Sequence, residues 1–274
     1  MALKKGFNPN ITNEEYHKDR EFLSSSGLKM ILKDPYKFQA VYINGEEAEM
    51  SLNGAALAFG SYIHMAILEP QLLESHTAIY SGTQRRGTKW DLFYADNSSK
   101  VIITVAQEKQ ANKLLKEFET SVCVVTPDGA VEDCEVMIAS FFDAGNVEET
   151  LCSKLDGVSV KVRFDFRHPK DYMVIDIKTT AESLLSPTNI STICEEYGYD
   201  LSAALYADVA EQETGVKHAY YFCFISKNGG GTRMVRATES FLARGRAKYK
   251  RALQRVLKAR ETGTFFENRI IELE

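Results

Sequence analysis

The stretch KVRFDFRHPKDYMVIDIKTT, residues 161–180, constrains this chain more than any other. Its period of two predicts two strands joined by a turn near His168-Pro169-Lys170-Asp171. Val160, Val162, Phe164 and Phe166 alternate with Lys161, Arg163 and Asp165, so the first strand has an apolar and a polar face. In the second strand Ile175 and Ile177 share one face, and Val174, Asp176 and Lys178 the other. A charge in a sheet's core costs several kcal/mol unless something compensates it. If residue 165 pairs with 176, or with 174, Asp165 joins Asp176 and Lys178. A slip of one residue separates them.

Two readings of this hairpin stand side by side. In the plainer one, a surface lysine balances two aspartates. In the sharper one, the carboxylates hold a divalent cation, because neighbouring carboxylates repel unless a cation sits between them. Mg²⁺ prefers such oxygens together with water. A lysine beside it stabilises charge on a phosphoryl oxygen.

The bulk numbers narrow the setting. A chain of 274 residues, 44% hydrophobic and 26% charged, suits one large globular domain or two small ones. The net charge of −5 means that any nucleic-acid contact must use a local basic surface. No apolar run is long enough to span a membrane, and the first residues lack the apolar core of a signal peptide. A cytoplasmic protein without membrane contact is expected. The five cysteines form no CxxC pair, which argues against a zinc ribbon or a cysteine-held cluster.

Along the chain, FLSSSGLKMILKDPYKF predicts a helix capped by Ser24 or Ser25 and stopped before Pro35. NGAALAFGSYIHMAILEP predicts a second helix, ending before Pro70. Residues 81–99 read as a loop or irregular segment, and AQEKQANKLLKEFET as an amphipathic helix. Residues 130–140 and 146–155 fit either short helices or strands. A helix is expected over about 197–213 and a buried strand over 218–226. A turn at Asn228-Gly229-Gly230-Gly231 leads into a further strand, RMVRATE. A basic helix covers about 240–261. This order predicts a single α/β domain over 1–274, with a central mixed β-sheet flanked by helices.

Four segments, LSSSGLKMILKDPYKF, FGSYIHMAILEP, VKVRFDFRHPKDYMVIDIKTT and YGYDLSAALYADV, occur in the order found in PD-(D/E)xK nucleases. Over residues 15–225 the chain resembles that superfamily, and within it the RecE-type (exodeoxyribonuclease VIII-like) exonucleases of phages and prophages. The resemblance implies that His64, Asp165 and Asp176 ligate metal, with the backbone carbonyl of Ile177. It makes Lys178 the catalytic lysine and places Glu69 beside the site to orient water or metal. It also implies two Mg²⁺ ions, with Mn²⁺ as an alternative. The activity it implies is 5′-to-3′ digestion of double-stranded DNA ends, leaving 3′ single strands for a single-strand annealing recombinase. The enzyme would be a homo-oligomeric ring, a tetramer or a trimer. Alternative readings are another nuclease with the same core, such as an endonuclease, and a non-catalytic DNA-end-binding protein.

The chain departs from the family pattern at Ser202, where a glutamine is usual four residues before the tyrosine, here Tyr206. Tyr199, Ser202 and Tyr206 still fall on one helical face. A helix that starts at Ser24–Ser26 is most simply capped there, yet its N-terminus, with Ser25 and Lys29 one turn on, also suits a phosphate. In RRGTKW, Arg85, Arg86 and Trp90 form either a solvated loop or a grip on a DNA end. The last helix pairs an apolar stripe, Leu242, Tyr249, Leu253, Val256 and Leu257, with eight cations. Those cations are either a solvated face or a surface that tracks a nucleic-acid backbone or contacts another subunit.

Overall fold

The computed structural model describes residues 3–46, 54–125, 134–228 and 231–265. The chain opens with β1 (Gly6–Asn8), α1 (Asn13–Lys18), α2 (Ser25–Lys33), α3 (Pro35–Phe38) and α4 (Ala55–Leu68). Then come α5 (Leu73–His76), β2 (Thr77–Tyr80), α6 (Thr88–Asp96), β3 (Val101–Thr104), α7 (Val105–Thr120), β4 (Val122–Val125) and β5 (Cys134–Met137). The second half runs β6 (Asn146–Leu155), β7 (Val158–His168), β8 (Met173–Thr180), α8 (Pro187–Glu196), α9 (Tyr199–Thr214), β9 (Ala219–Ser226), β10 (Thr232–Arg236) and α10 (Glu239–Thr262).

Six strands form the central sheet in the order β1-β6-β7-β8-β9-β10. All pairs are antiparallel except β8–β9, which α8 and α9 connect as a parallel crossover. The sheet is therefore mixed, as the element order predicts. One face is covered by α2, α9 and α10, whose Leu28, Ile31, Leu205, Leu253 and Val256 pack with Val160, Val162, Val174 and Phe222. On the other face α4 and α7 bring Phe59, Ile63, Leu114 and Phe118 against Ile175, Ile177 and Cys223.

Local chemistry sets the helix ends. The Ser24 hydroxyl accepts from the Gly27 amide at 3.3 Å and starts α2. Asp34 ends α2 and caps α3, accepting from the Lys37 amide, with Pro35 at the first helical position. Thr104 and Gln107 form a capping box on α7. Gly245 lets α10 seat on α9: a Cβ there would lie 1.8 Å from the Asp200 carbonyl oxygen.

Two expectations need correction, and the polar face of β7 proves to be covered. Residues 81–99 contain a helix, α6, whose Trp90 packs its ring against Tyr80 and Tyr94. This aromatic packing overrides the polar, turn-rich composition. Phe166 does not share a face with Phe164: Phe164 lies in the core with Val160 and Val162, and Phe166 in the opposite core with Ile175. The β6–β7 ladder skips the Glu148–Asp165 pair between them, and β7 changes face there. Lys161 and Arg163 do not form a solvent face either. Lys161 is buried and donates to the carbonyls of Tyr16 (2.5 Å) and Asp19 (2.8 Å), and Arg163 donates to that of Ile11 (3.0 Å). The N-terminal segment covers them.

The undecided segments resolve as strand β5 followed by a short 3-10 turn at Ile138–Phe142, and as strand β6. Residues 130–133 and the turn glycines 229 and 230 lie outside the described residues.

Candidate active site

Strands β7 and β8 pair only over Phe166–Ile175, Arg167–Val174 and His168–Met173. That register aligns position 165 with 176, the first of the two alignments that bring the acids together. Beyond it the strands part. Leu23, leading into α2, takes up the freed edge of β7, accepting from the Lys161 amide and donating to the Ser159 carbonyl, each at 3.0 Å. At the fork Asp165 Oδ2 accepts from the Ile177 amide at 2.7 Å, a side chain replacing a ladder bond.

Helix α4 delivers His64 to this fork. Gly60, one turn earlier, permits the approach: a Cβ there would come 3.1 Å from Thr179 Oγ1 on β8. His64 Nε2 lies 3.0 Å from Asp165 Oδ2, and Nδ1 lies 3.3 Å from Glu148 Oε1. One ligand atom each from His64, Glu148 and Asp165 fall within 4.8 Å of one another. Asp176, buried on the next strand, is ion-paired with Lys178 and accepts from the Tyr220 hydroxyl at 3.0 Å. Lys178 also donates to the Ile177 carbonyl at 3.3 Å, and its ammonium lies 5.4 Å from the Tyr199 ring centroid.

The titrations follow from this crowding. Burial disfavours the His64 charge, but Asp165 and Glu148 outweigh it and lift the imidazole to about 9. Burial pushes Asp165 up, yet His64 and Lys178 hold it below the usual carboxylate range. Burial raises Asp176 to about 6; Asp165 adds to the rise and Lys178 opposes it. Burial also works against the Lys178 charge, and Asp176 and Asp165 overcome it and hold the ammonium above its ordinary value. Protonated His64 and Lys178 thus sit among the carboxylates, and a divalent cation would take the place of the His64 proton. The oxygen-and-imidazole donor set fits such an ion.

Glu148 is a site residue that the sequence reading missed. It stands at φ +51° within β6, a left-handed conformation that costs a glutamate roughly 1–2 kcal/mol. Its second carboxylate oxygen takes the Arg163 Nε–H at 2.5 Å. Segment 146–155 shows no clean alternation that would aim Glu148 anywhere, so the sequence held no signal for it. Tyr220 was hidden in the same way, inside an apolar-aromatic run.

Other candidates divide. Lys29 reaches the rim of the site, 5.6 Å from the Tyr199 ring centroid that Lys178 also faces. Burial and the Lys178 charge bring it down to about 8. Ser25 is buried in the first turn of α2. Tyr206 is a packing residue, edge-on to Phe164 and Tyr220. Glu69 is the C-cap of α4, five residues past His64 and on another helical face, and its carboxylate is not part of the group around His64. Arg85 donates to the Ile102 carbonyl at 2.6 Å and to Gln107 at 2.9 Å, with its guanidinium over the Trp90 ring, so it anchors α6 against the two-stranded β2–β3 sheet. Arg86 is exposed. On α10, Arg246 and Lys248 pair with Asp208 and Asp200, and Arg255 donates to the carbonyls of Ile31 and Leu32. Arg244, Lys250, Arg251, Lys258 and Arg260 face outward.

A forked pair of central strands carrying D…D-x-K, with a helix-borne histidine against the first aspartate, defines a domain of the PD-(D/E)xK class. The sequence profile of one such family, described as a PDDEXK-like domain of unknown function (DUF3799), matches residues 24–266, and the chain belongs to this family. A search of curated proteins finds no match. Among solved structures, the chain is similar to a crystal structure of a protein from Eubacterium rectale provisionally named an exonuclease. The TM-score is 0.64 at 17% identity, covering 97% of this chain and 96% of that one. This likeness speaks to the fold. Among the described residues no helix is long and apolar enough to cross a membrane.

Proposed function

We propose that the protein is a divalent-metal-dependent exonuclease acting on double-stranded DNA ends. The observation that carries this reading is the meeting of His64, Asp165, Asp176 and Lys178 at one strand fork. His64, Asp165, Asp176 and the Ile177 carbonyl would hold Mg²⁺ or Mn²⁺, as two ions in this reading. Bound there, the metal supplies Lewis acidity towards a phosphodiester and a more acidic water.

The chain's own groups do the rest. Lys178, kept protonated by Asp176 and set over Tyr199, faces the position of a phosphoryl oxygen and stabilises charge that develops on it. Tyr220 fixes one oxygen of Asp176 and so holds the orientation of the carboxylate beside Lys178. Lys29 adds a second cation at the rim, placed to hold a backbone phosphate. Digestion from 5′ to 3′ would leave a 3′ single strand suited to a single-strand annealing partner. A ring of identical subunits, a trimer or tetramer, would let a chain of net charge −5 follow DNA with its basic surfaces turned inward.

The test is digestion of end-labelled linear duplex and of covalently closed circles, with and without Mg²⁺. Mg²⁺-dependent shortening of the linear duplex from its 5′ ends is expected. Cutting of closed circles would mark an endonuclease, and binding of ends without cutting would mark a non-catalytic end binder. Light scattering of the purified protein tests the ring, which a monomer would rule out.

A further inference from the structure

Glu148 holds its left-handed backbone opposite Asp165, where the β6–β7 ladder lacks a bridge. Glycine or asparagine would adopt that conformation more readily. What the glutamate gains there is the aim of its carboxylate. One oxygen faces His64 Nδ1 at 3.3 Å, and the other takes Arg163 Nε–H at 2.5 Å. Arg163 is itself anchored, donating to the Ile11 carbonyl at 3.0 Å. His64 Nε2 faces the other way, towards Asp165 at 3.0 Å. The imidazole is gripped from both sides, and only its Nε2 side leads on to Asp165, Asp176 and Lys178.

We propose that Glu148 is a positioning residue that keeps the proton on His64 Nδ1, so that Nε2 is the nitrogen offered to a divalent cation. The inference rests on the metal-centre reading above. A ligating histidine commonly gives its other N–H to a carboxylate, which fixes tautomer and ring orientation and makes the free nitrogen more basic. Arg163 completes the device by engaging the second Glu148 oxygen, which keeps the carboxylate turned to Nδ1 rather than to the cation.

Mn²⁺ binding by the wild-type protein, E148Q and E148A, measured by calorimetry, tests this together with a long-range nitrogen–proton NMR spectrum of the ¹⁵N-histidine-labelled wild type with Zn²⁺. The spectrum should show His64 metal-bound at Nε2 and protonated at Nδ1; this arm needs no variant and stands even if E148A fails to fold. E148A should lose roughly 10–100-fold in affinity. E148Q keeps one acceptor oxygen where the carboxylate offers one each to Nδ1–H and to Arg163 Nε–H, and should recover part of that loss. A metal-bound Nδ1, unchanged affinity in E148A, or a loss in E148Q as deep as in E148A (the mark of a direct ligand) would overturn the assignment while leaving the metal centre in place. A wild-type protein that binds neither ion would overturn the metal reading and this inference with it.

Discussion

Asp165 and Ile177 are joined by a hydrogen bond from backbone amide to carboxylate, 2.7 Å long, at the point where two central strands separate. The bond does two things. It satisfies an amide that the divergence would otherwise strand, and it fixes the acid beside His64. Asp165 is therefore structural and chemical at once, whereas Asp176 takes its bonds from side chains, Lys178 and Tyr220.

That difference predicts different outcomes for the two acids. Asp176→Ala should reduce Mg²⁺-dependent cleavage by about a thousandfold, the loss of several kcal/mol of transition-state stabilisation, in a protein that still folds. Asp165→Ala should lose activity and stability together, because it also strands the Ile177 amide, at about 1–3 kcal/mol. Single-turnover kinetics and thermal melts separate the effects. Retained activity in Asp176→Ala would remove the metal assignment.

Metal binding should compete with a proton. His64 titrates at about 9 in the metal-free protein and must lose one proton to ligate. Between pH 7 and 9 the apparent Mn²⁺ affinity should rise about tenfold per pH unit. Calorimetry across buffers of different ionisation enthalpy counts the proton released. A flat affinity profile would show that His64 is not a ligand.

The same imidazole sets a pH dependence of stability. Its folded value, about 9, lies above the ordinary 6.5. Its contribution is therefore fully present below 6.5 and is lost as pH rises through 9, amounting to at most about 3 kcal/mol. His64→Gln should lower Tm more at pH 6 than at pH 9.5. An equal difference at both would refute the ion pairs as its source.

The two neighbouring arginines should part company. Arg85→Ala should lower thermal stability by about 1–3 kcal/mol, since it removes the donor to Ile102 and Gln107. Arg86→Ala should change stability by no more than about half a kcal/mol and act only on DNA affinity. Lys29→Ala should weaken binding across sequences and reduce the salt slope by about one. Melts and salt-dependent binding curves measure both.

Gly245→Ala should be among the most damaging small changes in the chain. The added methyl would meet the Asp200 carbonyl at 1.8 Å, so α9 and α10 must separate. A loss of about 3 kcal/mol or more is expected in denaturant unfolding. An unchanged midpoint would mean that the helices are not held as described.

The sequence made the elements legible where periodicity was strong, as in α4, α7, β7, β8, β9 and α10. It narrowed the hairpin register without fixing it, because two alignments of β7 and β8 keep the acids together, and the chain adopts the one that sets 165 against 176. Glu148 was not legible, because its aim comes from a backbone conformation that no residue type announces; glutamate is a poor indicator of a positive φ. Arg85 was read by residue type alone, yet its guanidinium is engaged by a carbonyl and an amide that folding brings from 17 and 22 residues away. What the polar face of β7 meets was not legible, because its cover, residues 3–23, has no pattern of its own.

That cover sets a lower bound on the working unit. The family match begins at residue 24, but Lys161 and Arg163 find their acceptors at Ile11, Tyr16 and Asp19. A chain trimmed to the matched region would strip Lys161 of its acceptors, uncover that side of β7 and leave the Arg163 guanidinium to Glu148 and Thr150. The smallest piece that keeps the site's geometry is therefore longer than the piece by which its kinship is recognised.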